Sequence, residues 1–509
     1  MESIQAGPRW PLLDGCATRR AERHWQARLP PHTLMQRAGR ATARLALALA
    51  PHARRIWVAC GPGNNGGDGL LAALALARMG KAVHVTWLGS PERAPADTRL
   101  AWQAFAAAGL RLADAPPAAC DLCIDALLGI GAQRPPQDAM ADCIGHIQRL
   151  RRAHPATVVL SIDLPSGLLA GTGRAHDVHV QATHTLSLLT LKPGLFTHQG
   201  RDAAGEIWFD DLGVSAQAAF AGCDGGWPSA WLNPAPPARE RAHATHKGSF
   251  GDVALIGGAP GMAGALWLAA SAALHQGAGR VYTAALDPAA PALWPGLPEV
   301  MCRPVDALPL GHPGTTTVCG CGGGDALAPW LSHVLREARS LVLDADALNA
   351  LATAGTAEGQ PPWHALLLAR ATQQRATVLT PHPLEAARLL GSDAATVQAD
   401  RLGAARTLAA RFQCTVVLKG SGTVIAAPGQ RSHLNPTGNG LLATAGTGDV
   451  LAGMIGARLA GGSPAFEAAC GAVYQHGLYA DRQVGNTTGP APAIWPATGL
   501  TAGQLAAGA

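Results

Sequence analysis

The sequence predicts an α/β protein of two domains, each a parallel sheet with helices on both faces. Three observations carry this. The chain has 509 residues, too many for one hydrophobic core. Short apolar strands alternate with Ala-rich helical stretches in both halves, and parallel strands need such crossover helices. Periodicity stops from Ala221 to Arg241, where Pro228, Pro234, Pro236 and Pro237 cluster with Gly225-Gly226 and read as a linker. The boundary falls near residue 235, giving domains over 1–225 and 241–509 joined by residues 226–240.

Composition excludes several classes. With 48% hydrophobic residues and few aromatics the chain is globular. Net charge is +5, and basic groups such as Arg54-Arg55 and Arg149/Arg151/Arg152 read as solvated faces, so no nucleic-acid partner is expected. The start, MESIQAGPRW, lacks the layout of a signal peptide, and the apolar run near Leu45–Ala50 is shorter than a membrane span. Eleven cysteines is an odd count. Cys120 and Cys123 form a CxxC without a second one, and His176/His179 and His243/His246 lack an HExxH context, so none is assigned to a metal. Free thiols without a signal fit a reducing cytoplasm.

In the first half, residues 12–50 carry apolar positions at helical spacing, giving two helices broken by Pro30-Pro31. A strand at Ile56–Cys60 leads into GPGNNGGDG (Gly61–Gly69), a helix from Leu70 to Met79 and a strand at Ala82–Leu88. Gly61-x-Gly63-x-x-Gly66 satisfies the dinucleotide fingerprint, but the second strand ends in Trp87-Leu88-Gly89-Ser90 without the acidic residue that holds a ribose. Asn64, Asn65 and Asp68 instead place polar side chains in the loop, as for a ligand gripped by side chains as well as backbone. Strands Leu122–Ala126 and Val158–Ile162 end in Asp125 and Asp163. In a parallel sheet those ends share one edge. Oxygens of Asn65, Asp125 and Ser166 suit a hard monovalent cation, leaving Asp163 for proton chemistry; alternatively Asp125 and Asp163 each cap the following turn.

NNGGDG, D-ALLGIG-x-x-RP and S-IDLPSG-x-x-x-x-TG, with LMQRAG before and LKPGLF…GEIWFDDLG after, resemble the NAD(P)H-hydrate epimerase family over about residues 10–220. The resemblance implies a Rossmann-like three-layer α/β domain that interconverts R and S forms of hydrated NADH and NADPH. It implies substrate contact by Asn64, Asn65, Gly66, Gly67 and Asp68, by Gly129, Ile130, Gly131, Ala132, Gln133, Arg134 and Pro135, and by Asp163. It also implies a potassium ion on Asn65, Asp125 and Ser166, with Asp163 as catalytic base. Gln36 departs from the usual Glu.

In the second half, strands are expected at Val253–Ile256, Val281–Ala284, Thr316–Cys319, Ser340–Leu343, Thr377–Leu379 and Thr415–Leu418, followed by a hairpin, Thr423–Ala427 to Arg431–Leu434. No GxxxxGK[ST] occurs, so phosphate must be held otherwise. The stretch ATAGTGDVLAG (Ala443–Gly453) is suited to it. Gly446 and Gly448 let backbone N–H groups approach an anion, and the helix expected over Val450–Leu459 adds partial positive charge. Asp449 at that helix start is placed to take a proton from a hydroxyl attacking phosphorus; the bland alternative is an N-cap. Lys419-Gly420-Ser421-Gly422-Thr423 suits a phosphate or ribose, and His382 at a strand tip is either a cap or a substrate contact.

HKGSFGDVALIGG, GAL…AAL…GAG, GCGGG, LDADALN, TPHPLEAARLL, VVLKGSGTVI and NPTGNGLLATAGTGDVLAG fall in the order of the ADP-dependent NAD(P)H-hydrate dehydratase family and are similar to it over about residues 240–505. The resemblance implies a ribokinase-like fold and phosphorylation of the C6 hydroxyl of the hydrated ring, followed by loss of phosphate. It implies Asp449 as base, Gly446–Gly448 on the phosphoryl group, Lys419, Gly420, Ser421, Gly422, Thr423 and Gly448 on ADP, and Ala265, Gly322, His382 and Asp449 on the damaged cofactor. Leu384 replaces the usual Gly of TPHPGE and Gly323 a bulkier residue. The expectation is therefore a bifunctional cytoplasmic repair enzyme, a homo-oligomer using ADP with Mg2+, with a ribokinase-type small-molecule kinase as the alternative.

Overall fold

The computed structural model describes residues 1–220, 228–238, 240–353, 363–484 and 499–508. The chain forms two compact units. The first takes Trp10–Trp231 with Met1–Gln5, and the second takes the chain from Leu232 with Ala6–Arg9. Among the described residues, no helix is long and apolar enough to cross a membrane.

In the first unit, strands β1 (Ile56–Cys60), β2 (Val83–Trp87), β3 (Leu122–Ala126), β4 (Val158–Ile162), β5 (His184–Leu188) and β6 (Glu206–Asp210) run parallel. Their order is β2-β1-β3-β4-β5-β6, and Glu2–Ser3 adds an antiparallel edge to β6. Alternate side chains enter opposite cores. Val58 and Cys60 pack with Ile124 and Leu160 on one face, while Trp57 and Ala59 pack with Cys123 and Val159 on the other. Burial on both faces is why these strands read as unbroken apolar runs.

Helices α1 (Gly15–Gln26) and α2 (Thr33–Leu49) flank Pro30-Pro31 as expected. Asp14 caps α1, accepting from the N–H groups of Cys16 at 3.0 Å and Ala17 at 2.9 Å. Two expectations need correction. Helix α3 runs Asn64–Arg78, starting inside the glycine stretch rather than at Leu70. The glycines there allow close packing: a Cβ on Gly66 would sit 1.9 Å from the Gly61 carbonyl oxygen, and one on Gly69 would sit 2.5 Å from Ala126 Cβ. Second, the stretch read as irregular linker holds a strand, Ala230–Leu232, which pairs antiparallel with Pro11–Leu12. Its buried Ala230 and Leu232 escape a period search because three residues are too few.

The second unit has strands β7 (Asp252–Gly257), β8 (Arg280–Ala285), β9 (Thr315–Cys319), β10 (Ser340–Leu343), β11 (Thr377–Leu379) and β12 (Thr415–Leu418), all parallel. The order is β8-β7-β9-β10-β11-β12, with Met301–Cys302 outside β8. The expected hairpin follows as β13 (Val424–Ala426) and β14 (His433–Leu434), antiparallel to β12 and to each other. Helices α4 (Ala263–His275), α5 (Pro383–Leu390) and α6 (Thr447–Ala460) all start near the C-terminal edge of this sheet.

Helix α6 is nearly all apolar, as a helix buried on most sides must be. Gly453 lets its backbone touch α4: a Cβ there would lie 2.1 Å from the Ala269 carbonyl oxygen. Gly453→Ala is expected to lower the unfolding free energy of this unit by about 1–3 kcal/mol, the usual cost of overpacking. Thermal unfolding of the full chain, wild type against variant, measures it; an unchanged midpoint would contradict the close packing.

Candidate functional site

Both sheets bring their chemistry to the C-terminal edge of parallel strands. In the first unit the strand order reverses between β1 and β3, the crevice where open α/β sheets bind ligands. A cavity of about 490 Å³ lies there, walled by Pro62–Asn65, Asp68, Leu127–Ala132 and Asp163. Helix α1 closes it with Arg19, Glu22 and Gln26.

The structure brings most of the expected residues together. Asn64, Asn65, Asp68, Gly129, Ile130, Gly131, Ala132 and Asp163 reach the cavity. Gly66 and Gly67 are buried behind it, where a Cβ on Gly67 would press on Met35. Gln133, Arg134 and Pro135 are exposed and do not line it. Gln36 is exposed on α2, one residue from Met35, which does line the cavity.

Asp125 is fully buried at the end of β3. Its Oδ1 accepts from Ser166 Oγ at 2.6 Å and the Leu127 N–H at 3.2 Å; its Oδ2 accepts from Ser161 Oγ at 2.8 Å and the Ser166 N–H at 2.9 Å. Burial pushes this carboxyl up, and these neutral donors pull it part-way back. Asn65 Nδ2 donates to the Leu128 carbonyl at 3.0 Å, and the Leu128 N–H donates to Ser166 Oγ at 2.9 Å. Asn65 and Ser166 are thus both tied to the backbone of Leu128, beside Asp125. The donor set is hard oxygen, and the four hydrogen bonds named for Asp125 all come from uncharged groups, a combination that suits a monovalent cation.

Asp163 follows β4 in a left-handed conformation, φ 69°. Its Oδ1 accepts from the ammonium of Lys192, which is completely buried and also donates to the Leu188 carbonyl at 2.8 Å and Ser187 Oγ at 3.4 Å. Burial, then the negative charges of Asp163, Glu22 and Asp97, pushes the Asp68 carboxyl well above the usual range. Glu22 is raised too, by burial and by Asp163. The cavity therefore holds an ion-paired carboxylate and carboxyls biased toward the protonated form. Sequence reasoning gave no role to Lys192 or Glu22. Lys192 lay in LKPGLF; Glu22 gives no local signal on an amphipathic helix.

In the second unit the order reverses at β7, between β8 and β9. Asp344 after β10 is buried; its Oδ1 accepts from Lys419 Nζ at 2.6 Å and Thr380 Oγ1 at 2.8 Å. Lys419 follows β12 and lies 3.9 Å from Glu385 Oε2. A Cβ on Gly448 would lie 3.3 Å from Lys419 Nζ and 3.8 Å from Asp344 Oδ2, so the glycine turn, the lysine and the aspartate meet. Arg401, buried, donates to the carbonyls of Leu418 at 3.2 Å and Lys419 at 3.1 Å and anchors the loop at Gly420–Thr423 from behind. Burial lowers its guanidinium to about 10.

The N-cap of α6 is Gly446, φ 91°, without a side-chain cap; Asp449 lies in the first turn, so the capping alternative for it does not hold. Burial first, then Asp344, pushes Asp449 up to about 6. Cys321, after β9, lies beside it, buried. Ligand atoms of Cys321, Asp344 and Asp449 lie within 4.8 Å of one another. Gly322, φ 59°, packs on Ala265, whose Cβ would be 2.9 Å from a Cβ on the glycine. His382 caps α5: its Nδ1 accepts from the N–H groups of Leu384 and Glu385, and Glu385 Oε2 accepts from the His382 N–H at 2.7 Å. Its ring remains 45% exposed beside exposed Leu384. Burial raises Glu385 to about 7 against the pull of Lys419. Asp344, Cys321, Glu385 and Arg401 had no assigned role; the first three lie in motifs already quoted.

Comparison with known proteins follows this division. A family described as YjeF-related protein N-terminus matches residues 31–194, and one described as NAD(P)H-hydrate dehydratase matches residues 253–493. The Escherichia coli bifunctional NAD(P)H-hydrate repair enzyme Nnr is 35% identical over 88% of this chain and 85% of its own. The chain belongs to the bifunctional NAD(P)H-hydrate repair enzyme family. The Leishmania braziliensis member is 34% identical over 88% of this chain and 84% of its own. The Neisseria meningitidis ADP-dependent (S)-NAD(P)H-hydrate dehydratase is 44% identical over 53% of this chain and 85% of its own. A solved Bacillus subtilis ADP/ATP-dependent NAD(P)H-hydrate dehydratase, co-crystallised with ATP/Mg2+, is 31% identical over 53% of this chain and 91% of its own, with TM-score 0.43.

The Lys192–Asp163 pair gives a direct test of the first site. Lys192→Met leaves a half-enclosed carboxylate without its cation and is expected to cost about 3 kcal/mol of stability. Adding Asp163→Asn should recover part of that loss. Urea unfolding of the two single variants and the double variant measures the coupling; additive losses would show that the pair does not interact.

Proposed function

We propose that this chain repairs hydrated NADH and NADPH in two steps. The first unit equilibrates the R and S epimers of the hydrate. The second dehydrates the S epimer with ADP as phosphoryl donor, releasing AMP and phosphate. What carries the reading is Asp449: a carboxylate raised to about 6, in the first turn of α6, beside the Gly446–Gly448 amides. Relatives spanning most of the chain are named bifunctional NAD(P)H-hydrate repair enzymes.

The chemistry of the second site follows from leaving groups. Hydroxide leaves poorly and phosphate well. Asp449 takes the proton of the C6 hydroxyl as that oxygen attacks the terminal phosphorus of ADP. The α6 N-terminus and the Gly446–Gly448 amides hold the transferred group, and Lys419 with Gly420–Thr423 holds the nucleotide. Loss of phosphate with a neighbouring ring proton restores the double bond. Ala265, Gly322 and the exposed face of His382 contact the damaged ring. Lys419 already places an ammonium on Asp344, so no side chain is assigned to magnesium, which enters on the diphosphate.

In the first site Asp163 is the base, and Asn64, Asn65, Asp68 and Gly129–Ala132 hold the hydrate. Gln133–Pro135 contribute at most from the cavity rim. Asn65, Asp125 and Ser166 would hold potassium, which would supply a fixed positive charge beside the buried Asp125 carboxylate.

Three measurements test this. With mixed R and S NADH hydrate, ADP and magnesium, wild type should regenerate NADH from the whole mixture. Asp449→Ala should regenerate none while still equilibrating the epimers. Asp163→Asn should stall with the R epimer left, and a wild type silent with both ADP and ATP sinks the reading. Because the base must be ionised, dehydration should fall as pH drops through about 6. Replacing potassium by tetramethylammonium should slow epimerisation about tenfold or more and leave dehydration of pure S hydrate untouched; an unchanged epimerisation rate removes the cation from the account.

A further inference from the structure

Glu385 is buried, and the chemistry proposed above gives it no task. It meets His382 at three atoms. Its backbone N–H donates to His382 Nδ1 at 3.3 Å, its Oε2 accepts from the His382 N–H at 2.7 Å, and its Oε1 lies 3.3 Å from His382 Nε2. The Leu384 N–H donates to the same Nδ1 at 3.1 Å. Together these contacts form a capping box at the start of α5, whose ordinary work is to satisfy first-turn amides. Ser or Asp caps a helix as well. Histidine adds a ring, and 45% of that side chain stays open.

The contacts also settle where the ring carries its proton. An Nδ1 that accepts N–H groups holds none, so the neutral ring is protonated on Nε2. A carboxylate oxygen close to Nε2 favours a proton there too. An imidazolium would need a second proton on Nδ1 and would lose the cap. Burial, then the Lys419 ammonium, keeps the ring below its usual range and so neutral.

We infer that Glu385 is a positioning residue for hydrate binding, holding the His382 imidazole in one orientation and in its Nε2–H tautomer. The ring then meets the damaged cofactor as a neutral group of fixed direction, and little rotamer freedom is lost when the ligand arrives. Lys419 is a lesser partner of the same carboxyl. It lies 3.9 Å from Glu385 Oε2 but 2.6 Å from Asp344 Oδ1, so Asp344 holds it in the absence of Glu385. Glu385 therefore acts on the hydrate side of the site rather than on the nucleotide side.

The inference rests on the proposed dehydration, and the experiment separates the two. In the full chain labelled with 15N-histidine, the His382 ring signals are assigned by their loss in His382→Asn. They should show Nε2 protonated and Nδ1 bare, a readout that needs no activity. Dehydration of S NADH hydrate is then measured at pH 8, above the value of about 7 to which burial raises Glu385. Glu385→Met, which has no acceptor, should raise the KM for the hydrate about fivefold, the scale of one hydrogen bond, and change the KM for ADP by less than about twofold. Glu385→Gln keeps an acceptor for the His382 N–H and should recover most of the loss. In a His382→Asn background, which retains a capping side chain without the ring, Glu385→Met should add nothing further. If Glu385→Met does not fold, Glu385→Asp, one methylene short of the His382 N–H, reads the same KM. A ring protonated on Nδ1, a hydrate KM unmoved, an ADP KM moved as far, or a full further loss in the asparagine background overturns the positioning role. A wild type with the expected ring signals that regenerates no NADH overturns the functional reading beneath it.

Discussion

Strand polarity is the constraint on which both units depend. Parallel strands all end on the same edge, so residues far apart in sequence are delivered to one line of turns. In the first unit that edge gathers Asn65, Asp125, Asp163 and Ser166; in the second it gathers Cys321, Asp344, His382 and Lys419, with Asp449 on the helix that packs over them. Neither set is close in sequence. Each is close in space because the strands that carry them point the same way.

Burial then sets the character of the sites. Carboxyl groups at a sheet edge lose water on the sheet side and gain it only from the cavity. Asp125 meets this loss with neutral donors, Asp163 with a buried ammonium and Asp344 with Lys419 and Thr380, while burial leaves Asp449 raised to about 6. Three of these carboxylates thus have three different sets of partners. A carboxyl that must hold a proton and one that must take one can then coexist in the same architecture.

Much of this was legible in the sequence. Strands buried on both faces announce themselves as apolar runs, and the glycine turns after them as motifs, so most residues at the C-terminal edges of the two sheets could be named in advance. What was not legible has physical causes. The start of α3 was placed six residues late because glycine reads as loop, although here Gly66 and Gly69 serve helix-on-sheet packing. His382 reads as a ligand or as a cap, and only the geometry shows the cap. Lys192 and Arg401 act on other residues rather than on a ligand, and such supporting side chains have no spacing rule.

Arg401 shows what this support means for variation. In the proposed function the loop Gly420–Thr423 holds the nucleotide, but its shape is set from the rear, where a buried guanidinium grips the carbonyls of Leu418 and Lys419 and lies 3.0 Å from where a Gly420 Cβ would be. Front and rear are therefore under separate demands. Side chains at the exposed tip, such as Ser421, can drift and reshape ligand preference while the backbone path is conserved by a residue the ligand never meets. Adaptation of such a loop has a tolerant surface and an intolerant root.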